Sequence, residues 1–259
     1  DILVLNGLEQ APHFGILYQD TKPLLKGEDG YNYLYRINCG GDDFTDSFGQ
    51  LWMQDNTNYS RSWAASFNEL NPYLASQRTT NDPIRGSRDW KLFQYFRFGR
   101  HQLEYNFPVA DGMYRIEFYF TEPWHGTGGS ASADCEGLRI FDVAVNDSVV
   151  LDDLDIWAES GHDGACKKVV YAIVKGGLLK IHFPEVKAGQ ALISGIAIAS
   201  ANSDSKPTLF PASDWNWEKA SKEVMEKTPK ELLPEDKNAR VSIAYEAEAA
   251  VLKGKFQKK

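Results

Sequence analysis

The sequence predicts an all-β protein, a β-sandwich or jelly roll with a short helical C-terminal extension. Period-two alternation of apolar and polar residues is its commonest pattern. Short strand-like runs follow one another across Gly-rich turns, with no helical pattern interleaved. Aromatic residues make up 13% of the 259 positions. Such richness suits sheets, and also surfaces that grip flat ligands.

Taken in order, residues 1–34 open with "DILVLNGLEQAPHFGILYQD", which reads as a strap around a sandwich or as the end of a preceding domain. The opening inside a strand-like run suggests a piece of a longer protein. Cys39 falls within a strand and reads as a small buried hydrophobe. Residues 56–89, rich in Asn, Ser, Arg and Thr, read as a long surface excursion with one helical turn near Trp63–Leu70. In "GMYRIEFYFTE", Tyr114, Ile116, Phe118 and Phe120 share one face, and Arg115, Glu117 and Tyr119 share the other. "RIFDVAVNDSVVLDDLDI" reads as two strands around Asn146-Asp147, residues that tolerate left-handed turn geometry. "VVYAIV", "LLKIHF" and "LISGIAIA" follow as further strands. After Ser200, "ANSDSKPTLFPASD" has linker composition. Ser213 and Thr228 then cap two short helices within 201–240. Residues 241–259 alternate again.

Composition excludes several functions. The formal net charge is -8, and Lys and Arg cluster nowhere outside the last nine residues. Nucleic-acid binding needs a basic footprint, so it is not expected. No apolar run approaches the roughly 18 residues of a membrane span. No nucleophile elbow, phosphate loop or His cluster is present. The three cysteines lack metal-ligand spacing. Cys135 and Cys166 fall in predicted loops flanking a strand pair and could form a disulfide in an oxidising compartment. Asp152, Asp153 and Asp155 hint at calcium, but their spacing fits no known loop and a solvated turn is the plainer reading. His162, beside Asp163-Gly164, reads as a turn residue. No cofactor is expected.

Four separated motifs have a familiar order and spacing. "YRINCGGDDFTDSFGQLWMQD" (35–55), "LFQYFRFGRHQLEYNFPVADGMYRIEFYFTEPW" (92–124), "RIFDVAVNDSVVLDDLDI" (139–156) and "LISGIAIA" (192–199) resemble malectin and malectin-like domains. The resemblance spans 35–200. It implies a jelly-roll β-sandwich that binds oligo- or polysaccharide and has no catalytic residues of its own. Similar domains serve as accessory modules in bacterial glycoside hydrolases, including family 2 enzymes of the β-galactosidase type. It thus implies neighbouring domains of a parent hydrolase and a periplasmic or extracellular location. The tail 245–256 resembles the first strand of a further carbohydrate-binding module. In this family an aromatic-rich sugar site lies on loops at one edge, and the matching positions here are Trp52, Phe93 and the pair Trp124-His125. The family's acidic contact before the closing strand falls on Gly189.

The residues support the same chemistry independently. A pyranose presents a patch of C–H bonds that a flat aromatic can cover, while carboxylates and imidazoles take its hydroxyls. Trp124, on the lip of a Gly-rich loop (126–130), is the first candidate platform, with two alternatives: Trp52, which reads equally as core, and Phe93, which reads as core rather than site if a strand begins there. Asp42, Asp55, Glu122 and His125 are candidate rim partners, although Asp42 and Asp55 flank a turn where Asp often bonds its own backbone. Two competing functions stand beside binding. A scaffold domain would turn Trp52 and Trp124 toward an apolar interface. A weak hydrolase would need two facing carboxylates, with Glu122 and Asp155 as the least implausible pair.

Overall fold

The computed structural model describes residues 22–55, 76–99, 103–126 and 134–206. Expectations for the N-terminal strap before residue 22, the helical turn near Trp63–Leu70, the two capped helices and the C-terminal strand lie outside these residues. The described chain is an all-β sandwich of three sheets.

The six-stranded sheet runs β10-β7-β14-β1-β3-β2. Its strands are β1 (Asn32–Asn38), β2 (Phe44–Thr45), β3 (Leu51–Gln54), β7 (Gly112–Phe120), β10 (Cys166–Val174) and β14 (Gly195–Ser200). The facing sheet orders β12 (Val186–Ala188), β8 (Ile140–Val145), β11 (Leu178–His182) and β6 (Glu104–Pro108), with β9 (Ser148–Leu154) paired to β8. A third sheet joins β13 (Ala191–Ile193), β5 (Tyr95–Gly99) and β4 (Ser76–Thr79). Two short helices, α1 (Trp90–Gln94) and α2 (Ile156–Ser160), interrupt the strand pattern.

The alternation read from β7 places its side chains as expected. Tyr114, Ile116, Phe118 and Phe120 enter the main core with Tyr105, Phe107, Phe141, Val143, Leu179 and Ile181 of the facing sheet. Aromatic contacts join the layers, Tyr35 to Phe107 at 5.1 Å and Phe120 to Phe141 at 6.1 Å. A bulge in β1 between Tyr33 and Tyr35 lets both Leu34 and Tyr35 reach this core. The turn at Asn146 takes the left-handed conformation, φ 51°, and joins β8 to β9 as a tight hairpin.

The opposite face of the six-stranded sheet has its own apolar layer. Leu25, Ile84, Leu92 and Phe93 cover Trp52, Tyr119 and Ala197. One end of this face is polar. Glu117 is buried and accepts hydrogen bonds from Tyr33 Oη (2.8 Å), Tyr119 Oη (2.5 Å) and Arg115 Nε (2.9 Å), while Lys167 Nζ pairs with it at 2.9 Å. Burial by itself would raise the Glu117 carboxyl, but the Tyr119 and Lys167 contacts outweigh it and hold the group below its ordinary 4.5. A depressed folded-state pKa adds stability above the unfolded value, and that stability is lost as pH falls through the folded one. Thermal melts of wild type and Glu117→Gln should therefore differ most at neutral pH and converge in acid below about 4.5. A gap independent of pH would refute this account of Glu117.

Three departures from the sequence reading bear on the site. The "LISGIAIA" run is two strands, because the chain crosses from the third sheet to the six-stranded one at Ser194. Ser194 N donates to Tyr119 O (2.9 Å), and Ser194 O accepts from Cys39 N (2.9 Å). Within the 56–89 excursion, Ser76–Thr79 is strand β4, paired along its length with β5. Cys135 and Cys166 form no disulfide. All three thiols are free and buried, and Cys166 opens β10 rather than lying in a loop. Burial pushes the Cys166 thiol up to about 11, which keeps it protonated and unreactive at neutral pH.

Candidate functional site

The residues singled out in the sequence separate into distinct environments. Trp52 and Phe93 are fully buried, 0% exposed, and offer no face to a ligand. Trp52 points to the outer side of β3, where it meets Tyr119 edge-on at 5.2 Å and stacks on Phe44 at 6.3 Å. Its Nε1 donates to Asp46 Oδ2 at 2.8 Å. Phe93 sits in α1 rather than in a strand and packs against Tyr119 at 6.1 Å. The reason is shared: the outer face of the six-stranded sheet is apolar here and is roofed by α1 and the 22–25 segment, so large aromatics are drawn under the roof.

Asp55 and Glu122 are also interior. Asp55 accepts Arg97 Nε (2.5 Å), Arg97 Nη2 (2.8 Å), Tyr105 Oη (2.9 Å) and the amide of Gly40 (3.0 Å). Burial would lower the Arg97 guanidinium, yet the Asp55 charge beside it raises it above its ordinary range. Glu122, 0% exposed, pairs with Arg139 Nε at 2.5 Å. Both carboxylates are committed to buried ion pairs and are not rim groups. Asp42 is exposed, and its carbonyl accepts from Asn38 Nδ2 at 2.8 Å. Asp155 caps α2, accepting the amides of Ala158 (3.0 Å) and Gly137 (2.5 Å). It therefore matches neither a catalytic partner for Glu122 nor a calcium ligand beside Asp152 and Asp153. Asp153 instead pairs with Lys187.

Trp124 and His125 remain at the surface. β7 ends at Phe120, and Pro123 follows the buried Glu122. Glu122 Oε1 then accepts the amides of Trp124 (2.9 Å) and His125 (3.0 Å). One carboxylate thus anchors the lip through Arg139 from within and through two amides from outside. Trp124 is left 47% exposed, and His125 is half-buried.

The lip lies against the loop between α2 and β10. Asp163 N donates to Glu122 O (2.9 Å), and Asp163 O accepts Arg85 N (2.8 Å). Gly126 has φ 87° and lies so close to Trp157 that a Cβ would stand 2.7 Å from its Nε1. A side chain here would be strained and would drive the two segments apart. Three buried polar atoms without a hydrogen-bond partner gather in this region: Trp157 Nε1, His162 Nδ1 and Asp163 Oδ1. Burial pushes the Asp163 carboxyl up to about 6, while the neighbouring His162 imidazole pulls it the other way. Arg85 Nη2 donates to the carbonyls of Ser160 (2.9 Å) and His162 (2.8 Å), which closes the loop.

Trp157, His162 and Asp163 were not legible as site residues. Trp157 follows a strand-like run without any marking pattern, and "GHDG" reads as a turn. Asp163 does adopt the left-handed turn conformation, φ 51°. What brings it beside Glu122 is the pairing of distant segments, which no local spacing records.

The chain resembles known proteins in sequence and in fold. The sequence profile of the family described as "Malectin domain" matches residues 33–202. Malectin from Danio rerio is 26% identical over 150 residues, covering 58% of this chain and 47% of that protein. The chain thus spans about half the length of the relatives it matches. Among solved structures, a β-glucuronidase of Bacteroides uniformis superposes with a TM-score of 0.51 at 24% identity, over 63% of this chain and 18% of that one. The plant receptor-like kinase FER superposes with a TM-score of 0.52 at 15% identity, over 71% of this chain and 54% of that one. At these identities the two structures speak for the fold alone.

Proposed function

From the premise that the chain belongs to the malectin domain family, we propose that it is a non-catalytic carbohydrate-binding module that holds an oligosaccharide against Trp124. The family is of carbohydrate-binding type. The observation that carries the reading is the placement of Trp124: a large indole left 47% exposed on a lip that a buried carboxylate holds in place. Exposure of this size has no advantage for folding, and a rigid aromatic at a surface suits stacking on a sugar face. His125 beside it, half-buried, offers an imidazole of the kind that sugar hydroxyls use.

The parent, in this reading, is a multimodular glycoside hydrolase that acts on polysaccharide outside the cytoplasm. Covering about 100 Å² of apolar sugar surface contributes roughly 2.5 kcal/mol. The chain should bind members of a panel of glucose-, galactose- and glucuronate-containing oligosaccharides in titration calorimetry. Trp124→Ala should weaken that binding by one order of magnitude or more while moving stability by about 0.5 kcal/mol or less, as for other exposed positions. Unchanged affinity in Trp124→Ala, or a wild type that binds nothing on the panel, would remove the proposal.

A second reading, a scaffold domain, rests on a different surface from the one expected. The exposed apolar residues Val169, Tyr171 and Ile173 share one face of β10, an edge strand, and Met113 lies opposite Ile173 on β7. This stripe, rather than Trp52, is where a neighbouring catalytic domain of the parent would pack.

A further inference from the structure

Asp82, on the loop after β4, meets His162 and Asp163 from the loop before β10. Each offers one ligand atom, and the three atoms lie within 4.8 Å of one another. His162 Nε2 and Asp163 Oδ2 are 2.9 Å apart. Two ligands on one ion at bond lengths of about 2.0–2.1 Å stand roughly 2.9–3.4 Å apart, so this pair already has the spacing of neighbours in a coordination sphere.

A simple His–Asp ion pair does not account for the cluster. It uses Nε2 and Oδ2 and leaves the buried Asp163 Oδ1 without a partner, an oxygen that bidentate coordination of an ion would occupy. Asp163 is only 7% exposed, so water does not compensate for the missing contact. The Arg85 charge favours the ionised form of Asp163 from a distance but forms no ion pair with it. Arg85 Nη2 is spent on the carbonyls of Ser160 and His162. Among the described residues, neither Asp82 nor Asp163 forms an ion pair with Lys or Arg. The backbone holds the pair in place, since Asp163 N and O are bonded to Glu122 and Arg85 and residues 122 and 162 bridge. The main chain that carries the pair is therefore fixed before any ion arrives.

We propose that Asp82, His162 and Asp163 form a divalent metal site that clamps the loop after β4 to the loop before β10, behind the Trp124 lip. One imidazole with two carboxylates suits a first-row transition ion such as zinc rather than calcium or magnesium, which prefer all-oxygen shells. Asp82 is exposed, so the coordination positions that the protein leaves open face water. The inference stands apart from the carbohydrate reading, because metal uptake needs no sugar.

The test is a titration of the chelator-stripped chain with Co²⁺, followed by its visible absorption bands, and with Zn²⁺, followed by thermal melting. Wild type should take up one Co²⁺ with new absorption, and Zn²⁺ should raise the melting temperature by mass action. Asp82→Asn, whose side chain is exposed and whose loss does not threaten folding, should weaken Co²⁺ binding about tenfold or more, as should His162→Ala and Asp163→Asn. Asp153→Asn, in the acidic group on β9, should bind as wild type does. Absence of a Co²⁺ band in wild type overturns the proposal. So does uptake that is equal in wild type, Asp82→Asn and His162→Ala, which would place the ion elsewhere.

Discussion

Trp52→Ala should cost the fold about 3–5 kcal/mol, the range for deleting a large buried aromatic. The indole is fully enclosed in the outer apolar layer with Tyr119, Phe93, Leu25, Ile84 and Leu92. Its removal opens a cavity against Tyr119 and Phe44, and neither neighbour can collapse into it freely, because both lie on paired strands. It also strips Asp46 Oδ2 of the indole N–H, although Gln50 Nε2 still donates to that oxygen at 3.0 Å. Urea denaturation should show a lower midpoint with little change in slope. The contrast with Trp124→Ala is the informative part. Two tryptophans that look alike in the sequence should separate cleanly, one moving stability and the other moving glycan affinity. A Trp52→Ala protein as stable as wild type, with glycan binding gone, would return Trp52 to the sugar site.

Glu122→Gln should cost a comparable amount, about 3–5 kcal/mol, because it leaves the Arg139 charge buried without its counter-ion. Glu122 is 0% exposed, and Arg139 is nearly so; the guanidinium keeps one bond, from Nη1 to Gln190 O. The amide of Gln can still accept from the Trp124 and His125 backbone, so the lip should loosen less than the core beneath it. Replacing both partners, as in Glu122→Gln with Arg139→Met, should recover much of the loss, since the neutral pair has similar volume and carries no stranded charge. The same variant decides a functional question. If Glu122 were a catalytic carboxylate, Glu122→Gln would remove turnover of a chromogenic glycoside and leave unfolding untouched. The buried ion pair predicts the opposite, a lower denaturation midpoint for a group that never meets substrate.

Much of the architecture was legible because it depends on patterns within single strands. Alternation placed Tyr114, Ile116, Phe118 and Phe120 in the core and set Arg115, Glu117 and Tyr119 on the other face, as found. Asn146 marked the hairpin between β8 and β9. The helices escaped notice because each is five residues long, too short for a periodic signal.

What the amino-acid order determined alone is the class of fold, the faces of its strands and an aromatic-bearing lip after β7. Alternation and turn residues act over a few positions, and a reader of the chain sees all of them. What only the tertiary structure decided is which polar and aromatic groups are available. Trp52 and Phe93 went under a roof made by distant segments, Asp55 and Glu122 were claimed by arginines 42 and 17 residues away, and Trp124 alone of the expected platforms stayed open. His162, Asp163 and Asp82 came together for the same reason. Burial and ion pairing are set by which segments meet in space, and sheet closure brings together residues whose separation along the chain carries no signal.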